Sequence, residues 1–171
     1  LSLSEEVIQL LTLGEEYKPD YTTEFPAKLI KTEMTWNELV LNPVIFDEIR
    51  NINTWLLHKD EIDESKVLSK KLNKGYKCLF YGPPGTGKTL STLLIGKKNN
   101  KDVYRIDLSQ IVSKYVGETE KNLAKIFNIA ENKNWILFFD EAESLFSKRT
   151  SVNDSKDKFA NQQTAYLLQR V

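Results

Sequence analysis

The chain has 171 residues, 40% hydrophobic and 28% charged, which excludes a disordered tail and fits one globular domain with its own core. Lys plus Arg and Asp plus Glu both number 24, so the chain lacks the global basic field of a dedicated nucleic-acid binder. A single cysteine, Cys78, excludes an internal disulfide framework, and no apolar run reaches the ~18 residues of a membrane span.

The amino terminus, "LSLSEEVIQLL", is acidic where a signal peptide is basic, so the expected compartment is the cytoplasm. It predicts a short helix with Ser4 as N-cap and Gly14 as stop. "EEYKPDYTTEFPAKLIKTEM" carries two prolines and no clean period and is expected to be an extended loop or linker. Residues 1–35 are therefore assigned to an N-terminal extension. A helix follows at "PVIFDEIRNINTWLLH", where Val44, Ile45, Ile49, Ile52 and Leu56 recur at helical spacing. Thr35 or Asn37 is available as a cap just before it. "KDEIDESKVLSKKLNKG" predicts a solvated connection with a short helix inside, and His58 a surface position at a helix end. Trp36, Trp55 and Trp135 are spread out, each expected to pack locally.

Three short apolar runs come next, "YKCLFY" (76–81), "DVYRIDL" (102–108) and "WILFFD" (135–140). Helical patterns separate them at 88–99 and 118–133; in the second, Leu123, Ile126, Phe127 and Ala130 mark one face. Strand–helix–strand alternation of this kind predicts an α/β fold with parallel strands and right-handed crossovers. Cys78 is expected to be a buried, inert thiol in the first strand, and "WILFFD" a strand covered on both faces. "DSKDKFANQQTAYLLQRV" predicts a final helix.

The eight residues Gly82-Pro83-Pro84-Gly85-Thr86-Gly87-Lys88-Thr89 fit G-x-x-x-x-G-K-[ST], between an apolar run and a helical pattern. Phosphate oxygens need several donors close together, and glycines let main-chain amides approach without a Cβ in the way. The helix beyond turns its unpaired amides and positive dipole end toward the anion. The expected nucleotide contacts are Pro84, Gly85, Thr86, Gly87, Lys88, Thr89 and Leu90. Lys88 supplies a mobile charge near the β- and γ-phosphates, and Thr89 a hydroxyl for Mg²⁺. Pro83 and Pro84 stiffen the loop entrance.

"WILFFDEAESLF" places Asp140 at the end of an apolar strand, at the edge where open α/β sheets bind ligands. Asp140 is the expected Mg²⁺ residue, holding the ion through water. Glu141 is the expected catalytic residue that polarises a water for attack on the γ-phosphate. Glu143 reads as a solvated turn residue.

With these residues in place, the chain resembles the AAA+ ATPases, and within them the AAA clade that remodels proteins. The resemblance covers roughly residues 36–171. It rests on "GPPGTGKT", "LFFDEAESL" and the intervening "SKYVGETEKNLAKIFNIAENK". It implies the large subdomain of a P-loop NTPase, a three-layer sandwich with a mainly parallel sheet. It also implies ATP and Mg²⁺ as cofactors, and a hexameric ring acting on protein substrates. By the same resemblance Lys114, Tyr115, Val116 and Gly117 form the pore loop that grips polypeptide. The polar loop 146–158 would face the pore, with Arg149 near a neighbouring subunit. In the family a stretch before the first long helix reads adenine. Here that stretch is "WNELVLNP", where Leu39, Val40 and Leu41 would offer backbone contacts although the family's glycines are absent. The family's sensor strand, arginine finger and helical lid have no counterpart up to Val171, so the natural protein is expected to continue. A second reading on the same scaffold is a nucleic-acid motor or clamp-loader-like ATPase. The mixed charge of "SKYVGETEKN" disfavours it.

Overall fold

The structure is a computed structural model that describes residues 11–12, 18–22, 25–71, 75–111, 118–131 and 133–142. The expected helix at 4–14, save its residues 11–12, and the expected helix at the carboxyl end lie outside the described residues.

A short strand, β1 (Lys28–Ile30), comes first, followed by a 3₁₀ turn at Trp36–Glu38. Helices α1 (Pro43–Leu57), α2 (Lys59–Glu64) and α3 (Leu68–Lys71) lead to the glycine loop. Beyond it are α4 (Lys88–Lys98), β2 (Asp102–Asp107), α5 (Leu108–Ile111), α6 (Glu118–Ala130) and β3 (Trp135–Asp140).

Local chemistry sets the boundaries of α1. Asn42 Oδ1 accepts from the Val44 amide at 2.9 Å, and Pro43 sits in the first turn, where its missing N–H is no loss. The cap of α1 is thus Asn42. Thr35 serves the preceding 3₁₀ turn instead, its amide donating to Glu38 Oε2 at 2.7 Å. His58 closes α1, exposed, with Nδ1 3.2 Å from Glu61 Oε2. Helix α4 ends at Asn99, and Asn100 follows with φ 51°, a left-handed position that asparagine tolerates.

The sheet has the order β1-β2-β3. Strands β2 and β3 are parallel, with Asp102 opposite Trp135 and Asp107 opposite Asp140. Strand β1 runs antiparallel to β2, Lys28 facing Arg105 and Ile30 facing Val103. The stretch expected to be an extended loop or linker therefore edges the sheet. Phe25 and Ala27 enter the core at 3% and 0% exposure, which ties them to the sheet rather than to solvent.

Side chains of a strand alternate, so each face has its own partner layer. Tyr104 and Ile106 join Phe25, Leu108, Ile111, Leu123 and Ile126 in one buried cluster, with Phe127, Trp135, Leu137 and Phe139 against it. Tyr104 and Trp135 lie 4.2 Å apart by ring centroid, and Phe25 meets both edge-on. The opposite face carries Ile136, packed with Ile49, Ile52, Ile95 and Phe80 under α1 and α4. Trp36 pairs with Phe46, and Trp55 with Tyr76, so each tryptophan has a separate aromatic neighbour.

Three expectations are corrected. Residues 76–81 form no strand, because none of the described residues pairs with them. Leu79 and Tyr81 are exposed, and so is Cys78, which is not the buried thiol expected. Every residue of β3 is half-buried rather than covered, since β2 flanks one edge and no described strand flanks the other.

Candidate functional site

The glycine loop owes its shape to left-handed backbone. Gly85 and Gly87 have φ of 78° and 85°, values that a side chain would strain. Gly87 is the residue from which α4 starts. The Thr86 hydroxyl donates to the Pro83 carbonyl at 2.9 Å and closes the loop on itself. Lys88 folds its ammonium back over the loop, donating to Gly82 O at 2.9 Å and Pro83 O at 2.8 Å. Pro84 and Thr89 are exposed, and Leu90 is half-buried.

A second contact ties the loop to the stretch before α1. A Cβ built on Gly87 would lie 2.6 Å from Leu39 Cδ1, so Leu39 rests on the loop where α4 begins. Next to it Val40 is 95% exposed. Leu41 turns its side chain into the cluster of Ile49, Ile52 and Ile95, which leaves its backbone as the part available to a ligand.

Helix α4 leads from this loop onto the sheet. Its last turns lie over the first residues of β2 and β3. The Lys101 amide donates to Gly96 O at 2.9 Å, and a Cβ on Gly96 would collide with Val103 and come 3.8 Å from Ile136 Cδ1. The whole helix is 11 residues long, roughly 16 Å, and Gly96 lies near its carboxyl end. At the far end of these strands Asp107 and Asp140 stand opposite each other. Val103, Arg105 and Asp107 share the face of β2 turned to α4; Ile136, Phe138 and Asp140 share that face of β3.

Asp140 has both carboxylate oxygens engaged. Oδ2 accepts from Arg105 Nε at 2.8 Å, and Oδ1 accepts from the Glu141 amide at 3.1 Å. Glu141 has φ 55°, an uncommon conformation for a residue with a side chain, and is exposed. That kink turns Glu141 off the strand direction of Asp140. Sequence reasoning missed Arg105. Its only signal there was a charged residue in mid-strand, and its partner depends on the register between strands.

Lys114, Tyr115, Val116 and Gly117 lie outside the described residues, as do Glu143, Arg149 and the rest of 146–158. The nearest described residues are Ile111 before the expected pore loop and Glu118 after it. The Thr119 hydroxyl donates to Ile111 O at 3.2 Å, joining the start of α6 to the end of α5.

A family model described as "ATPase family associated with various cellular activities (AAA)" matches residues 78–171. The chain belongs to the AAA ATPase family. The fold of this AAA chain is accordingly that of a P-loop NTPase, of which the described residues form a part with a small mixed sheet. Among similar proteins is the peroxisomal ATPase PEX6 of Candida glabrata, 30% identical over 152 residues, 88% of this chain and 14% of that protein. The uncharacterized AAA family ATPase y4kL of Sinorhizobium fredii is 30% identical over 139 residues, 81% of this chain and 40% of that protein. The ATPase family gene 2 protein of Schizosaccharomyces pombe reaches 47% identity over 73 residues, 42% of this chain and 9% of that protein. The AAA chain thus spans a minor part of each relative's length. Among the described residues no helix is long and apolar enough to cross a membrane.

Proposed function

We propose that this chain binds and hydrolyses ATP, and that a ring of such subunits uses the hydrolysis to remodel or translocate protein substrates in the cytoplasm. The observation that carries the reading is the left-handed glycine loop from which α4 starts, in a chain whose strand β3 ends on Asp140. Backbone amides of residues 85–90 cradle the phosphates, and the positive end of α4 adds its field. The Lys88 ammonium has three donors and already bridges two loop carbonyls, so it stands at the mouth of the phosphate cradle. The exposed edge at Val40, with the backbones of Leu39 and Leu41, receives the base.

Mg²⁺ fits the donor set, since Thr89 offers a hydroxyl oxygen and Asp140 a carboxylate, both hard oxygens. Bound there, it would neutralise phosphate charge. Glu141 accepts a proton from the water that attacks the γ-phosphate. Protein substrates, the ring and the pore-loop role of Lys114, Tyr115, Val116 and Gly117 rest on membership of the AAA family and on likeness to proteins such as PEX6.

The test is made in the full-length protein with two variants. Glu141→Gln is expected to retain ATP and stop turnover, and Lys88→Ala to lose ATP binding. Unchanged hydrolysis in Glu141→Gln overturns the assignment. Binding to DNA that weakens with salt, without stimulation by unfolded protein, would favour a nucleic-acid motor instead.

A further inference from the structure

Arg105 is an unusual residue to find at its position. It stands in the middle of β2, on the face turned to α4, between Val103, which packs against that helix, and Asp107. Its Cα partner on β3 is Phe138, so Asp140 is the diagonal neighbour two residues on, on the same face. The ion pair is 2.8 Å long, with the arginine side chain 41% exposed and the aspartate 27%. Such a half-exposed pair adds little to stability by itself. Its consequence is local: it occupies one oxygen of the carboxylate assigned to the metal, while the Glu141 amide occupies the other.

We propose that Arg105 is a positioning residue for Asp140, fixing the plane of its carboxylate and setting how tightly the site holds a divalent cation. The inference rests on the ATPase reading above. Two effects of opposite sign act on the metal. The guanidinium holds the carboxylate in one orientation, which spares a cation the cost of ordering it. The same guanidinium places a positive charge beside the ligand, which repels a dication. The ordering gain is a fraction of one side chain's entropy, whereas repulsion acts on a double charge in a partly shielded site. Repulsion wins, and Arg105 keeps the metal loosely held. Glu141 is affected through the same link, because its left-handed turn is pinned by Asp140 Oδ1.

The experiment is calorimetric titration of Mg²⁺ into the full-length protein with a non-hydrolysable ATP analogue, for the parent, Arg105→Met and Arg105→Lys. Arg105→Met, which keeps the bulk and removes the charge, is expected to lower the half-saturating Mg²⁺ about three- to tenfold. Arg105→Lys restores the charge and is expected to stay near the parent. Analogue affinity in EDTA should be the same in all three. A Mg²⁺ midpoint in Arg105→Met equal to the parent's overturns the proposal, and so does an affinity change that is as large in EDTA. If Arg105→Met does not fold, Arg105→Gln is judged by the same midpoint. Failure of the parent itself to bind the analogue sinks the ATPase reading, whereas Mg²⁺-dependent binding with an unmoved midpoint sinks only the role of Arg105.

Discussion

The hydroxyl of Thr119, in the first turn of α6, donates to the carbonyl of Ile111, the last residue of α5, at 3.2 Å. Thr119 is 0% exposed and Ile111 4%, so this bond lies in the core and fastens both sides of the segment assigned to the pore loop. Replacing Thr119 by valine keeps the shape and leaves the Ile111 carbonyl short of a donor. The expected loss is about 1 to 2 kcal/mol. A urea midpoint unchanged from the parent would show that the bond contributes nothing.

Gly96 lies where α4 packs against Val103 of β2. Alanine is ordinarily the better helix former by about 1 kcal/mol. Here its methyl would meet the Val103 side chain and come within 2.9 Å of the Lys101 carbonyl. Overpacking of this kind costs about 1 to 3 kcal/mol, so Gly96→Ala is expected to be net destabilising. Urea unfolding checks it, and a more stable variant would contradict the close approach.

Gly87→Ala should act on ligand binding. Its φ of 85° penalises any side chain by about 1 to 2 kcal/mol, which corresponds to roughly tenfold weaker ATP binding if the loop must hold this shape. Leu39 Cδ1 adds a collision that rotation of the leucine relieves. The double variant Gly87→Ala/Leu39→Ala should recover part of the affinity, never all of it, because the backbone penalty remains. Full recovery would place the defect in the collision alone.

Cys78 offers a chemical probe of the 171-residue chain. It is exposed, yet nearby atoms desolvate the thiol enough to raise its pKa above the ordinary value. The thiolate is the reactive form, so a raised pKa moves reactivity to higher pH. Iodoacetamide should label the native chain to completion without denaturant, with a rate profile inflecting above that of a free cysteine peptide. Labelling that required urea would mean that residues 76–81 are covered.

The parts of the site that the sequence made legible are those written in consecutive residues. The glycine loop can be read because its shape follows from Gly85 and Gly87 and the lysine beside them. The pair Asp140–Glu141 stands out because five apolar residues precede it. Asn42 was within reach too, lying directly before Pro43, but Thr35 and Asn37 offered competing caps. Pairing across long separations was not legible. Nothing around Lys28 announces a strand, since it has three residues and its partner is Arg105, far along the chain. The same holds for Arg105 and Asp140, whose meeting depends on β2 and β3 adopting one register out of several. Residues 76–81 failed in the opposite direction. Their composition suits a strand, and composition says nothing about whether another strand lies alongside.

The stacking of Trp135 on Tyr104, with Phe25 against both, equips the molecule with an optical reporter. Trp135 opens the strand that Asp140 closes, and its ring touches the segment entering from the amino-terminal side. In a background where Trp36 and Trp55 are changed to phenylalanine, the emission of Trp135 would follow both the seating of Phe25 and any shift of β3. Movements at the two ends of one strand could then be timed against each other without an attached dye.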